Sequence, residues 1–223
     1  MLVDVPLKCS CGEVSGTVRG VAPTSANRLS CMCDDCQVYA HYLGRADDIL
    51  DAHGGTDMSY TTQARYSIVT GSEHLRCVRL SAGGLLRWYV GCCNTPIAHV
   101  PSPKIAFVGV PHLFICHEGA LQSRDEILGP LVHRTQGRFG RGELPQGASL
   151  GTPVALRIKG ITRVLVDTLR GRNWPSPFHD AASGRPVVAP TVLTAAELEA
   201  LRGRLGKDEA PVLKTGYSMG GCT

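Results

Sequence analysis

Residues 31–36 read Cys31-Met32-Cys33-Asp34-Asp35-Cys36, three cysteines in six positions with two acids between the last two. A disulfide between residues two or three apart closes a very small, strained ring. Three thiolates converging on one zinc need only a tight loop, so the spacing predicts a metal loop. Cys33 and Cys36 stand three apart, as residues on the first turn of a helix do. A helix over residues 34–42 follows: Asp34 and Asp35 fall in its first turn, and Gly44 comes just past its end. Its N-terminus favours Cys36 as a thiolate, the form that binds metal. His41 lies five residues beyond Cys36, about 140° round the helix, and faces away from the sulfurs. The trio is therefore expected to leave one metal position open.

Working outward, the preceding chain reads as β structure. L-V-D-V-P-L and E-V-S-G-T-V-R flank the turn Lys8-Cys9-Ser10-Cys11-Gly12, with an approximate period of two. Cysteines at i and i+2 on an extended segment can direct both sulfurs to one side, and the turn reads as a second metal element. A Pro/Ser/Asn loop then leads to a short strand over 28–30. Residues 44–57 read as a loop; Asp47, Asp48 and Asp51 fit no EF-hand spacing and are expected to be solvated charge. From Tyr60 to Val110 strand follows strand, with Tyr60–Thr70 read as one strand, and an antiparallel sheet is predicted. Cys77, alternating with Arg76 and Val78, is expected in the core. In Gly91-Cys92-Cys93-Asn94-Thr95-Pro96-Ile97, adjacent cysteines on a strand would point to opposite faces. Both could reach one metal only through a sharp turn, which Gly91 and Asn94 permit; Cys93 is the first choice.

The chain has 223 residues, 43% of them apolar, enough for one large domain or a domain with an extension, and too apolar for a disordered chain. The N-terminal M-L-V-D-V-P-L-K has no basic segment followed by a long apolar run, and no stretch approaches the ~18 apolar residues of a membrane span. A cytoplasmic location is expected, where thiols stay reduced. The 10 cysteines therefore point to metal. Residues 1–133 carry 10 basic and 12 acidic side chains, and residues 134–223 carry 13 and 7, so the basic excess belongs to the C-terminal part.

That part reads as helices. Ser123-Arg124-Asp125-Glu126 has the pattern of a capping box, with Gly129-Pro130 as a stop. Thr152 is expected to cap a longer helix with Pro153 in its first position and Gly171 at its end. Its apolar stripe, Val154, Ile158, Ile161, Val164, Leu165 and Leu169, is expected to pack on its own domain, and Arg157, Lys159, Arg163 and Arg170 make much of the rest basic. A third helix runs from Ala195 to about Leu205, with Thr194 and Glu197 as its capping box and Gly206 beyond it. Residues 172–178 read as a loop anchored by Trp174 and Phe178, and Cys222 as a free terminal cysteine.

With these clusters in place, the chain resembles the glutathione-dependent formaldehyde-activating enzymes, also called the CENP-V/GFA domain family. The matching motifs are Cys9-Ser10-Cys11-Gly12, Cys31-Met32-Cys33-Asp34-Asp35-Cys36 and Arg87-Trp88-Tyr89-Val90-Gly91-Cys92-Cys93-Asn94-Thr95-Pro96-Ile97, over roughly residues 5–115. The chain departs from the family pattern at Val90, where the family has a cysteine, and at Asn94, where it has glycine; Cys92 is an additional cysteine between them. The resemblance implies an Mss4-like, zinc-containing β-tent of antiparallel strands, here mainly β with C-terminal helices (α+β). It implies a zinc-binding β domain over 1–120 with a helical extension over 121–223. It also implies a structural zinc on Cys9, Cys11 and Cys93, with Cys92 available as the fourth ligand, and a catalytic zinc on Cys31, Cys33 and Cys36.

The implied activity is that of a carbon–sulfur lyase: a thiol such as glutathione occupies the open zinc position and is added to formaldehyde or a similar small aldehyde. Cations for glutathione's two carboxylates would come from Arg28, Arg45, Arg87 or the run His133–Arg141. The expected partner is a small-molecule thiol or aldehyde adduct, with no membrane and no nucleic-acid motif; a homodimer through the C-terminal helices is the further expectation. The alternative is a non-catalytic, zinc-stabilised module that contacts protein or nucleic acid through its basic helices. In a third reading, zinc only staples the fold.

Overall fold

The computed structural model describes residues 2–22, 28–115, 124–205 and, for the backbone, 212–213. Ser123, Gly206 and Cys222, and most of the loop before residue 28, lie outside the described residues. The chain opens with a hairpin, β1 (Val3–Lys8) antiparallel to β2 (Ser15–Val21). Val5 and Leu7 point inward, and Gly12 turns the chain at φ 88°, a conformation that glycine adopts without strain. β3 (Leu29–Cys31) runs one residue beyond the expected strand and delivers Cys31 at its end. α1 (Asp34–Tyr42) has the expected bounds, and Gly44 follows at φ 65°.

The segment read as a loop with solvated acids holds a short helix, α2 (Ala46–Ile49). Asp48 pairs with Arg45. Asp51 organises the next turn: its carboxylate accepts from the backbone of His53 (2.9 Å) and Gly55 (2.8 Å) and from the Ser30 hydroxyl (3.1 Å). The expected single strand over 60–70 is two, β4 (Thr56–Thr61) and β5 (Tyr66–Thr70), in different sheets. The break is a 3-10 turn over Gln63–Arg65. There the buried Gln63 amide donates to the carbonyls of Ser102 (2.9 Å) and Ile105 (2.7 Å). A buried amide must find such partners, and meeting them turns the chain.

β6 (Leu75–Arg79), β7 (Leu86–Val90), β8 (Pro96–Val100) and β9 (Val108–Pro111) then form the expected antiparallel run. They are followed by α3 (His112–Ile115), α4 (Arg124–Leu128), β10 (His133–Thr135) and β11 (Glu143–Leu144). Next come α5 (Val154–Leu169), β12 (Thr191–Val192), α6 (Ala195–Arg202) and β13 (Val212–Leu213). The main sheet has the order β10-β3-β4-β9-β8-β7-β6-β12. Its interior pairs are antiparallel, but β10 and β12 lie parallel to β3 and β6, so the sheet is mixed at both edges. β1, β2 and β5 form a second sheet of three strands, and β11 pairs with β13. The fold is mainly β with helices, and residues beyond 121 supply strands to both edges of the main sheet.

One core lies between the two larger sheets. Trp88, Tyr66 and Phe178 stack there with centroid separations of 5.2 and 5.0 Å, and Leu75 and Cys77 join them. Burial pushes the Cys77 thiol up to about 12, as suits a small core residue. The opposite face of β6 contributes Val78 to a second core with Val38, Tyr39 and Leu43 of the α1 segment and Leu201 of α6. Each such buried side chain contributes roughly 1.5–3 kcal/mol. α6 has the expected capping box between Thr194 and Glu197.

α5 departs from expectation at both its start and its face. Pro153, not Thr152, is the N-cap, and the Thr152 hydroxyl accepts from the Gln136 amide at 3.0 Å. Its apolar stripe is not packed: Val154, Ile158, Ile161, Leu165 and Leu169 are 64, 59, 62, 55 and 78% exposed. The contacts that fix the helix are polar and lie toward its C-terminal end. Asp167 accepts from the Tyr60 hydroxyl (2.9 Å) and from Arg172 (2.6 Å), the Thr168 hydroxyl accepts from the Ala106 backbone (3.0 Å), and the Arg163 guanidinium lies over the Tyr60 ring (4.9 Å). These tethers hold α5 without closing it on the sheet. No helix among the described residues is long and apolar enough to cross a membrane.

Candidate metal centres

The β1–β2 turn and the β7–β8 turn meet at four sulfurs. Cys9, Cys11, Cys92 and Cys93 have their sulfurs within 4.8 Å of one another. Neighbouring pairs lie at 3.5 Å (Cys9–Cys11), 3.3 Å (Cys11–Cys92) and 3.9 Å (Cys92–Cys93). Zn–S bonds of about 2.3 Å in a tetrahedron place sulfurs about 3.8 Å apart, so the set fits that geometry. No disulfide joins any described cysteine. Adjacent residues reach one centre because Asn94 takes φ 54° and its N–H returns to the Val90 carbonyl (2.9 Å), curling residues 91–93 off the strand.

Thr95 ties this centre together from beneath. Fully buried, its hydroxyl accepts from the Ser10 N–H (3.1 Å) and contacts the Cys93 sulfur (3.1 Å). Arg45 spans the two turns, donating to the Cys93 carbonyl (2.7 Å) and the Ser10 hydroxyl (3.2 Å). Burial pushes the Cys9 and Cys92 thiols up, with neighbouring sulfurs adding to the rise. Burial would raise Cys93 too, but hydrogen bonds with Thr95 and Cys11 outweigh it and bring that thiol down to about 6.

The second centre sits where β3 enters α1. Cys31, Cys33 and Cys36 bring their sulfurs within 4.8 Å. Among the described residues no histidine, fourth cysteine or carboxylate joins them, and His41 stands apart as its helical position requires. Cys33 is the N-cap of α1, and the Cys36 N–H donates to its carbonyl at 3.0 Å. Cys36 is buried, and Cys31 and Cys33 are half-buried. Hydrogen bonding to Cys33, with burial, holds Cys31 at about 11. A hydrogen bond with Cys31 lowers Cys33, but Cys36 and burial carry it to about 12; Cys31 and burial hold Cys36 at about 12. Metal binding must therefore displace protons and weakens as pH falls.

Gln37 pins this loop. Buried beneath it, its amide donates to the carbonyls of Met32 (2.8 Å) and Phe139 (2.8 Å) and accepts from Arg141 (3.1 Å). It is the one polar side chain in the run Cys36–Ala40 besides the Tyr39 hydroxyl, a signal available in the sequence. Arg87, buried on β7, lies 3.5 Å from Asp35 and 3.1 Å from the His99 ring, and its charge draws the Cys36 thiol downward against the other effects. The arginines expected as carboxylate partners are engaged within the fold: Arg28 with Asp57 and Asp125, Arg45 with Asp48, and Arg87 with Asp35. His133, by contrast, lines a cavity of about 740 Å³ between the sheet and α5, and Cys31 and Cys33 open into the same cavity.

Both cysteine clusters could hold a metal ion, and all-sulfur donor sets suit zinc. No curated protein matches the chain. A crystal structure of a Rhodobacter sphaeroides protein is similar at 18% identity and a TM-score of 0.38, covering 56% of this chain and 96% of its own. Residues 1–190 match the family described as "Family of unknown function (DUF6151)". The chain belongs to that family.

Proposed function

We propose that the protein is a zinc-dependent carbon–sulfur lyase of the formaldehyde-activating type. It would bind a thiol at the Cys31/Cys33/Cys36 site and add it to formaldehyde or a similar small aldehyde, with glutathione as one candidate thiol. The observation that carries this reading is the contrast between the two clusters. Four sulfurs close one centre, whereas three converge at the other, and two of those three open into a cavity. Structural zinc is closed by four protein ligands and catalytic zinc keeps a position free.

Zinc at the three-sulfur centre would supply an open Lewis-acidic position that favours a bound thiol as its thiolate. The chain's own residues do the rest. Gln37 holds the loop in register, and Arg87 places positive charge beside the thiolates. α5 and the sheet flank the cavity through which a small aldehyde would reach the sulfur. Cys9, Cys11, Cys92 and Cys93 would hold the structural zinc that joins the two β-turns.

A second reading, a zinc-stabilised binding module, is favoured by one observation, the exposed apolar stripe of α5. X-ray absorption with and without added thiol separates the two. Two zincs per chain should average about 3.5 sulfurs each and rise to about 4 on adding thiol. An unchanged average overturns the lyase reading and leaves the module.

A further inference from the structure

The cavity beneath α5 bears on which thiol the proposed site would take. At about 740 Å³ it lies within the range of small-molecule sites, roughly 300–1,000 Å³. Leu29, Met58 and Phe107 form its wall on the sheet side, and Leu156, Ile161 and Val164 form it on α5. The surface these side chains present is almost wholly carbon. Cys31 and Cys33 open into this space, while Cys36 does not line it, so a ligand of a metal held by the trio would reach it through these apolar walls. Two exposed cations, Arg157 and Lys159, also line the cavity, and neither is in an ion pair among the described residues.

Glutathione suits this space poorly. Its two carboxylates, ammonium and two amides would each need a partner, and a polar group buried without one is costly. A second copy of the chain suits it no better, because α5 carries Arg157, Lys159 and Arg163, with Arg170 just past its end, and a symmetric contact through its stripe would bring these like charges together.

We infer that the ligand is a thiol with an apolar body and one anionic end. Its sulfur lies toward Cys31 and Cys33, its body lies between α5 and the sheet, and its anion lies at Arg157 and Lys159. This rests on the three-sulfur centre being an open thiol site, and the test separates the two claims. The full-length protein is loaded with cobalt(II) and titrated with 8-mercaptooctanoate, octanoate and glutathione, following both heat and sulfur-to-cobalt absorption.

8-Mercaptooctanoate should bind at least about tenfold more tightly than glutathione, because each buried methylene adds affinity, and it should add absorption from one further sulfur. Octanoate should compete without that absorption. Ile161→Asp, at a 62% exposed position that folding tolerates, should weaken both octyl ligands at least about tenfold. Arg157→Glu combined with Lys159→Glu should also weaken both. Glutathione binding as tightly as 8-mercaptooctanoate, with the added absorption, would overturn the apolar thiol and leave the lyase proposal standing. Octanoate binding with no thiol changing the absorption would overturn the open thiol site and retain the apolar–anionic ligand. No octyl ligand binding, together with a dimer that Ile161→Asp converts to monomer, would overturn the inference and make the groove an interface.

Discussion

Adjacent cysteines share a metal only when the backbone between them leaves the strand, and Asn94 at φ 54° makes Cys92 a member of the four-sulfur set. Cys11 is exposed, as Cys92 is, so its structural worth would come through a metal rather than through packing. If a closed zinc staples the two turns, Cys11→Ser should cost about 3 kcal/mol or more, because structural metal binding is folding energy. That is a fall of roughly 6–12 °C in Tm for a chain of this size. Cys33→Ser should lower Tm by less than about 3 °C while the zinc content drops from two to one. Melting curves with metal analysis check both, and equal losses in the two variants would contradict the division of roles. His179 offers an acid test elsewhere. It is 2% exposed with its ring 3.2 Å from the Gln63 amide oxygen, and burial pushes its pKa down to about 4. The folded state therefore holds this ring neutral where the unfolded chain, near 6.5, takes up a proton. The stability it contributes is complete above pH 6.5 and is lost as pH falls through 4. Urea unfolding of the wild type and His179→Gln at pH 7 and 4.5 should show the wild type losing roughly 2–3 kcal/mol more than the variant. Comparing the two at each pH cancels what acid does to the sulfur centres.

Two glycines make opposite demands on their elements. Gly16 sits where β2 meets β5, and a Cβ there would lie 2.3 Å from the Ser67 carbonyl oxygen, backbone against backbone. Gly16→Ala must push the strands apart and should cost more than about 2 kcal/mol. Gly160 lies inside α5, where an added Cβ would meet nothing within 4 Å, so Gly160→Ala should stabilise by about 0.5–1 kcal/mol through helix propensity alone. Chemical denaturation of both variants gives the two signs. The same contrast explains what can be read from the sequence. α1, the Cys-x-Cys-Gly turn and the three-cysteine loop depend on residues within a few positions of one another, and their bounds follow from spacing, first-turn acids and a terminal glycine. The break at Gln63–Arg65 depends on carbonyls at Ser102 and Ile105. The edge strands β10 and β12 are three and two residues long, with partners more than 100 positions away. Neither carries a local period that could announce it. α5 is legible as an amphipathic helix with a basic remainder; that its stripe stays exposed beside an open cavity instead of packing on the sheet is not, because periodicity says which residues share a face and not what covers them.

At the scale of the whole molecule, the resemblance places a domain boundary near residue 120, yet the contacts tie the two parts closely. Phe178, fully buried, fills the space between Tyr66 and Trp88 in the core shared by both larger sheets. Met32, between the first two cysteines of the three-sulfur cluster, donates its N–H to the Thr135 carbonyl at 3.0 Å, and Gln37 reaches the Phe139 carbonyl at 2.8 Å. The three-cysteine loop is thus braced from residues 135–141 as well as from α1. Removing everything after residue 120 would leave a phenylalanine-sized hole beside Trp88, worth about 3–5 kcal/mol by analogy with Phe→Ala. It would also remove hydrogen bonds worth about 1 kcal/mol each. A domain has only about 5–15 kcal/mol in all, so residues 1–120 alone should show no cooperative melting transition by circular dichroism and should retain fewer than two zincs. Phe178→Ala in the full chain gives the intermediate case: it should still fold and keep both zincs, with stability reduced by about 3–5 kcal/mol. A 1–120 fragment that melts cooperatively with both metals in place would show instead that the edge strands and Phe178 decorate a domain already complete without them.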